Sequence, residues 1–112
     1  MIYIVIPIFN EEQNIANLHN ELADYSFEDE FYFVFSDDGS SDNTKVEIEK
    51  QFPTDKTIVL GDGINRGPGA AFNVGFEWVL ENSKDDLDKV VTIEADCTSD
   101  LGILPVMLSL NK

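Results

Sequence analysis

The sequence predicts an α/β domain, a mostly parallel open sheet covered on both faces by helices in three layers. Three observations predict it. Residues 2–9 are an unbroken run of β-branched and apolar side chains, the pattern of a strand buried on both faces. Further apolar runs of strand length then alternate with segments of helical spacing. The runs end in polar or glycine-rich corners, such as Asp37-Asp38-Gly39-Ser40 and Asn65-Arg66-Gly67-Pro68-Gly69, where strand would turn into helix.

Taken in order, the first strand leads to Asn10, which can cap a helix running to about residue 25, with Glu11 and Glu12 at its positive end and Ile15, Leu18 and Leu22 at helical spacing. Residues 31–35 make an aromatic second strand that ends in the polar turn 36–42. Ser41 or Asp42 caps a second helix carrying Val46 and Ile48, which stops near Pro53. Residues 57–60 form a third strand, 61–69 a loop, and 70–82 a helix with Ala71, Val74 and Trp78 on one face. Phe72 and Phe76, at helical spacing with Trp78, read as core or partner-facing residues. A fourth strand over 89–93 exits into Glu94-Ala95-Asp96, and 101–110 reads as helical despite Pro105.

One domain, residues 1–112, accounts for the whole chain. Roughly two-thirds of the unfolded surface can be buried at this length, so a single core is possible without staples. With 43% hydrophobic residues and eight Phe, the composition is globular and excludes a disordered acidic tail. Seven Lys and Arg face 22 Asp and Glu, a formal charge of -15. That balance excludes nucleic acid as a partner and leaves no polybasic patch for anionic lipid, whereas a cation would be attracted.

The single cysteine, Cys97, cannot form an intramolecular disulfide and fits a reducing, cytoplasmic compartment. With His19, read as a surface residue, it is too little for a Cys/His metal cluster. No basic residue precedes the first apolar run, and Pro7, Asn10 and Glu11 interrupt it, so neither a signal peptide nor a membrane span is expected there.

In an open parallel sheet ligands bind outside the carboxyl ends of the strands. Four segments fall there: Val5-Ile6-Pro7-Ile8-Phe9-Asn10-Glu11-Glu12, Ser36-Asp37-Asp38-Gly39-Ser40-Ser41-Asp42-Asn43-Thr44, Asn65-Arg66-Gly67-Pro68-Gly69-Ala70-Ala71 and Thr92-Ile93-Glu94-Ala95-Asp96. Read singly, each has a plain structural explanation. The second is a turn with a helix cap, the third a turn, the fourth a solvated strand exit, and Phe9 a core aromatic.

Together and in this order they resemble the family 2 glycosyltransferases of GT-A fold, in particular the branch that includes dolichyl-phosphate mannosyltransferase-like enzymes. The resemblance covers nearly the whole chain and implies the Rossmann-like half of that fold. It implies transfer of a sugar, with inversion, from a UDP- or GDP-linked donor to a glycan or polyprenyl phosphate, assisted by Mg2+ or Mn2+. Pro7, Phe9 and Glu11 match the nucleotide-pocket segment, and Asp38 matches the residue that reads the base edge. Arg66 and Gly69 match the loop lining that pocket. Glu94 and Asp96 stand at the family's Asp-any-Asp motif, with Asp96 the metal ligand and Glu94 near the ribose or the metal. Glu94 departs from the motif by one methylene.

The family's general base and acceptor site lie downstream of that motif, so the base is expected beyond Lys112 and the chain reads as truncated. The alternative function is a non-catalytic nucleotide-sugar-binding fragment or assembly module. Exposed apolar surface would then favour self-association. Glycan biosynthesis at the cell envelope implies the cytoplasm or the cytoplasmic face of a membrane.

Overall fold

The structure, a computed structural model, describes residues 2–23, 31–52, 54–83, 88–93 and 106–109. Its elements are β1 (Ile2–Ile8), α1 (Ile15–Ala23), β2 (Phe31–Asp37), α2 (Thr44–Gln51), a 3-10 turn (Thr54–Lys56), β3 (Thr57–Leu60), α3 (Pro68–Asn82), β4 (Lys89–Thr92) and β5 (Val106–Ser109). The sheet order is β3-β2-β1-β4-β5, with the first four strands parallel and β5 antiparallel to β4.

Alternation along the strands sorts the core into two layers, because successive side chains point to opposite faces. Ile2, Ile4, Ile6 and Ile8 of β1 join Phe33, Phe35 and Val91 on the face covered by Ile15 and Leu18 of α1 and by Ile48 and Phe52. Tyr3, Val5, Val34 and Val90 line the other face under Val79 of α3. The ring of Phe52 meets Phe33 at 4.8 Å and Phe35 at 4.9 Å, closing the first layer below α2. The expected three-layer parallel fold is therefore present.

Several local expectations need correction. Residues 106–109 form a strand where a helix is expected over 101–110; the remainder of that segment lies outside the described residues. A short apolar run does not by itself distinguish helix from strand, and here the free edge of β4 supplies the backbone partner. Asn10 does not cap α1. It adopts a positive φ of 51°, a conformation that Asn tolerates, and a turn over 12–14 intervenes before the helix starts at Ile15.

The third helix starts at Pro68, within the expected loop, because proline needs no N–H at the first helical position. Its packing seam is Ala71, Gly75 and Val79, whereas Val74 is exposed. Gly75 has a physical reason: a Cβ there would come within 2.7 Å of Val5 Cγ1, so only glycine lets α3 lie this close to β1. Trp78 stacks on Tyr32 at 5.5 Å, and Phe72 and Phe76 pack beside it against the same layer. In α2, Ile48 is buried and Val46 is exposed. His19 is partly exposed, with its ring edge-on to Phe52 at 5.1 Å. Among the described residues no helix is long and apolar enough to cross a membrane.

Candidate functional site

The carboxyl ends of β1, β2, β3 and β4 share one edge of the sheet because these strands run parallel. Asp38 N–H donates to Ile8 O at 2.8 Å, which extends the β1–β2 ladder past both strands. The two corners beyond are then joined side chain to main chain. Asn10 N–H donates to Ser40 Oγ at 2.9 Å, and Asn10 Oδ1 accepts from Ser41 N–H at 2.8 Å. Glu11 N–H donates to Thr44 Oγ1 at 3.0 Å, and Glu12 Oε1 accepts from Asn43 N–H at 3.0 Å. The segments that the sequence read as separate turns are thus one bonded unit.

Asp42 anchors that unit to α2. Its carboxylate accepts from Thr44 N–H at 3.0 Å, from the Thr44 hydroxyl, and from Glu12 N–H at 3.3 Å. Asn43, the residue at the cap position, makes no side-chain cap bond, so capping falls to Asp42, one of the two residues expected to provide it. Partial burial raises the Asp42 carboxyl, but the Thr44 hydroxyl and the main-chain N–H groups outweigh it and hold the carboxyl below its ordinary range.

Asp38 joins β2 to the loop after β3. It is 6% exposed, and its Oδ1 and Oδ2 accept from Arg66 N–H at 2.7 Å and Gly67 N–H at 2.9 Å. Gly39, with φ 79°, packs so tightly against that loop that a Cβ would lie 2.7 Å from Asn65 N. Gly61, with φ 140°, leaves β3 against Asp37 O, where a Cβ would approach to 2.4 Å. Both positions require glycine on conformation and on space.

These corners enclose a pocket of about 230 Å³ beside the start of α3. Ile64, Ala70, Ala71 and Val74 give it apolar walls, and Ser36, Asp37 and Asp38 line its polar side. Asp37 Oδ1 accepts from Ser40 N–H at 2.9 Å. Asp62 and Arg66 also line it and are ion-paired at 2.8 Å, both more than half exposed. The hydrogen bond between them pulls the Asp62 carboxyl down and pushes the Arg66 guanidinium up, so both stay charged at neutral pH. The first turn of α3 adds main-chain N–H groups at the same place.

Of the residues singled out in the sequence, Asp38 and Arg66 line this pocket. Pro7 is half-buried in β1 opposite Ser36, and Phe9 stands just past the strand, 45% exposed. Glu11 is half-buried and accepts from Asn14 Nδ2 at 2.7 Å. Gly69 lies inside the first turn of α3 with open space around its Cβ position, so close approach within the chain does not explain that glycine. Glu94 and Asp96, proposed for the cation, lie outside the described residues. Among the described residues no three His, Cys, Asp or Glu side chains gather as metal ligands. Sequence reasoning gave no role to Ser36, Asp62, Ile64 or Ala70. Only Ser36 carried a signal, a hydroxyl closing the aromatic run Phe33-Val34-Phe35.

Four parallel strands in the order β3-β2-β1-β4, with polar corners after β1, β2 and β3, define a Rossmann-like α/β domain of the kind found in GT-A fold glycosyltransferases. The family model "Glycosyl transferase family 2" matches residues 3–110, and the chain belongs to that family. It is 31% identical over 97 residues to an undecaprenyl-phosphate 4-deoxy-4-formamido-L-arabinose transferase of Proteus mirabilis, covering 83% of this chain and 28% of the relative. It is also 31% identical over 109 residues to a UDP-N-acetylglucosamine–dolichyl-phosphate N-acetylglucosaminyltransferase of Methanococcus voltae, covering 86% of this chain and 41% of the relative.

Among solved structures, S. aureus TarS in complex with UDP-GlcNAc superposes with a TM-score of 0.68 at 30% identity, over 85% of this chain and 26% of that one. The mannosyltransferase PcManGT of Pyrobaculum calidifontis, in complex with GDP-Man and Mn2+, shares the fold with a TM-score of 0.65 at 22% identity, over 85% of this chain and 27% of that one. The chain thus spans about a quarter to two-fifths of the length of these relatives.

Proposed function

We propose that residues 1–112 are the donor-binding part of a glycosyltransferase of the polyprenyl-phosphate-using kind, the branch that includes dolichyl-phosphate mannosyltransferase-like enzymes. The observation that carries this reading is the bonded frame of strand-end corners, with Asp38 fastening the loop that bears Arg66. A preorganised cleft of main-chain N–H groups, one guanidinium and carboxylates suits a nucleoside diphosphate-sugar.

In this reading Pro7 and Phe9 flank the nucleoside, Glu11 accepts from ribose hydroxyls, and Asp38 uses the lone pairs left free by the loop to accept from the base. Arg66 exchanges Asp62 for the diphosphate, beside the first turn of α3 near Gly69. Glu94 and Asp96 are the residues that would hold Mg2+ or Mn2+, which when bound neutralises charge on the departing diphosphate. The acceptor oxygen, from a glycan hydroxyl or a polyprenyl phosphate, bonds to the anomeric carbon as the bond to the diphosphate breaks, with inversion. The nucleoside diphosphate leaves with that electron pair. A hydroxyl acceptor needs a general base to take its proton; an ionised phosphate needs none. Acceptors of that kind would place the reaction at the cytoplasmic face of a membrane. The exposed Val46 and Leu80 offer surface for self-association or for the rest of a longer protein.

Calorimetric titration with UDP- and GDP-sugars, with and without Mn2+, tests the reading. Binding should require the metal and be lost in Asp96→Asn while the circular dichroism spectrum is unchanged. Binding that ignores both the metal and the substitution removes the metal assignment, and no binding of either donor removes the donor reading. Assayed by itself, the 112-residue chain should bind without turnover, as a nucleotide-sugar-binding module does.

A further inference from the structure

We infer that Ser36 is a specificity-determining residue that reads the nucleobase from the floor of the pocket beside α3; the inference rests on the donor-binding reading above. Ser36 is the penultimate residue of β2 and, as a whole residue, only 1% exposed. For the strand alone, a β-branched apolar residue would suit this position better. The hydroxyl nevertheless lines the pocket.

Its surroundings define what it can meet. Ser36 and Asp38 are two residues apart at the end of a strand, so both address the face covered by α3. A Cβ on Gly75 would lie 3.6 Å from Ser36 Cβ, which places α3 directly above. Ile64, Ala70, Ala71 and Val74 offer apolar walls, and the mouth carries the Arg66 charge. A flat heterocycle with a polar edge and a phosphate tail matches that combination.

The pattern of donors selects among bases. The Asp38 carboxylate can only accept, so the base must offer an N–H to it, and the hydroxyl of Ser36 is then free to donate to a neighbouring carbonyl. Uracil and guanine present a carbonyl beside a ring N–H. Cytosine and adenine carry an unprotonated nitrogen at that ring position, from which a carboxylate facing it has no N–H to accept.

The test is titration of the 112-residue chain and its Ser36→Ala variant with UDP, GDP, CDP, ADP and inorganic pyrophosphate, all with Mn2+, alongside thermal melts. Wild-type protein should prefer UDP or GDP over CDP and ADP. Ser36→Ala should weaken the preferred nucleotide about three- to tenfold, narrow the gap to CDP and ADP, and leave pyrophosphate unchanged. Its melting temperature should hold, because the hydroxyl lines the pocket. Wild-type-like nucleotide binding by Ser36→Ala overturns the inference while the donor reading stands. An equal loss for pyrophosphate, or a lowered melting temperature, shows a structural role and overturns it too. If wild-type protein binds none of the nucleotides, the donor reading itself fails and the inference goes with it.

Discussion

Asp38 joins two corners of the chain through main-chain partners 28 and 29 residues away. Asparagine at this position keeps one acceptor and turns an amide donor toward a part-buried N–H. Asp38→Asn should therefore destabilise the fold by about 1–3 kcal/mol in urea unfolding and speed hydrogen exchange at the Arg66 and Gly67 amides. Asp42 gives a pH signature. Its folded carboxyl is held below the ordinary range, so it contributes stability that is present above the unfolded value of about 4 and is lost as pH falls through the lower folded value. In Asp42→Asn that part of the acid sensitivity should be missing, so the stability gap to wild-type protein should close below about pH 4. The sequence placed a carboxylate at the end of β2 and a cap before α2. It did not show what either one holds, because those partners come from strands that meet only in the folded sheet.

At the scale of elements, strands with long β-branched or aromatic runs were legible: β1, β2, β3 and β4 begin where the pattern begins and end within two residues of it. β5 was not, because its apolar run of three residues fits either period and its strand character comes from β4. The face of α3 was misread for a related reason. Val74 looks like core by its chemistry, yet the helix turns the glycine side toward the sheet, since only that side allows a close approach. Gly75→Ala should lose about 1–3 kcal/mol in denaturant unfolding, despite the better helix propensity of alanine, because its methyl group meets Val5. A stabilised Gly75→Ala protein would mean that α3 sits further from β1 than described.

For the molecule as a whole, stability rests on two apolar layers that share one sheet. Ile48 is fully buried where α2 meets the first layer, and Ile48→Ala should lose about 2–5 kcal/mol, which is a large part of the margin of a small domain. The layered architecture was legible because alternation of strand and helix admits few right-handed arrangements. The candidate site was legible only as a set of segments at one edge. The residues proposed to hold a cation, Glu94 and Asp96, lie outside the described residues, and its pocket wall includes Ile64, which no local pattern marks.

The hydrogen bonds that tie Asn10 to Ser40 and Ser41, and Asp38 to Arg66 and Gly67, bear on how such a protein can change over evolution. Lengthening any one corner by a residue would shift its neighbours as well, since each is the other's scaffold. New substrate preferences are therefore most accessible through exchange of side chains that face the opening, with the backbone around it kept as an inherited frame.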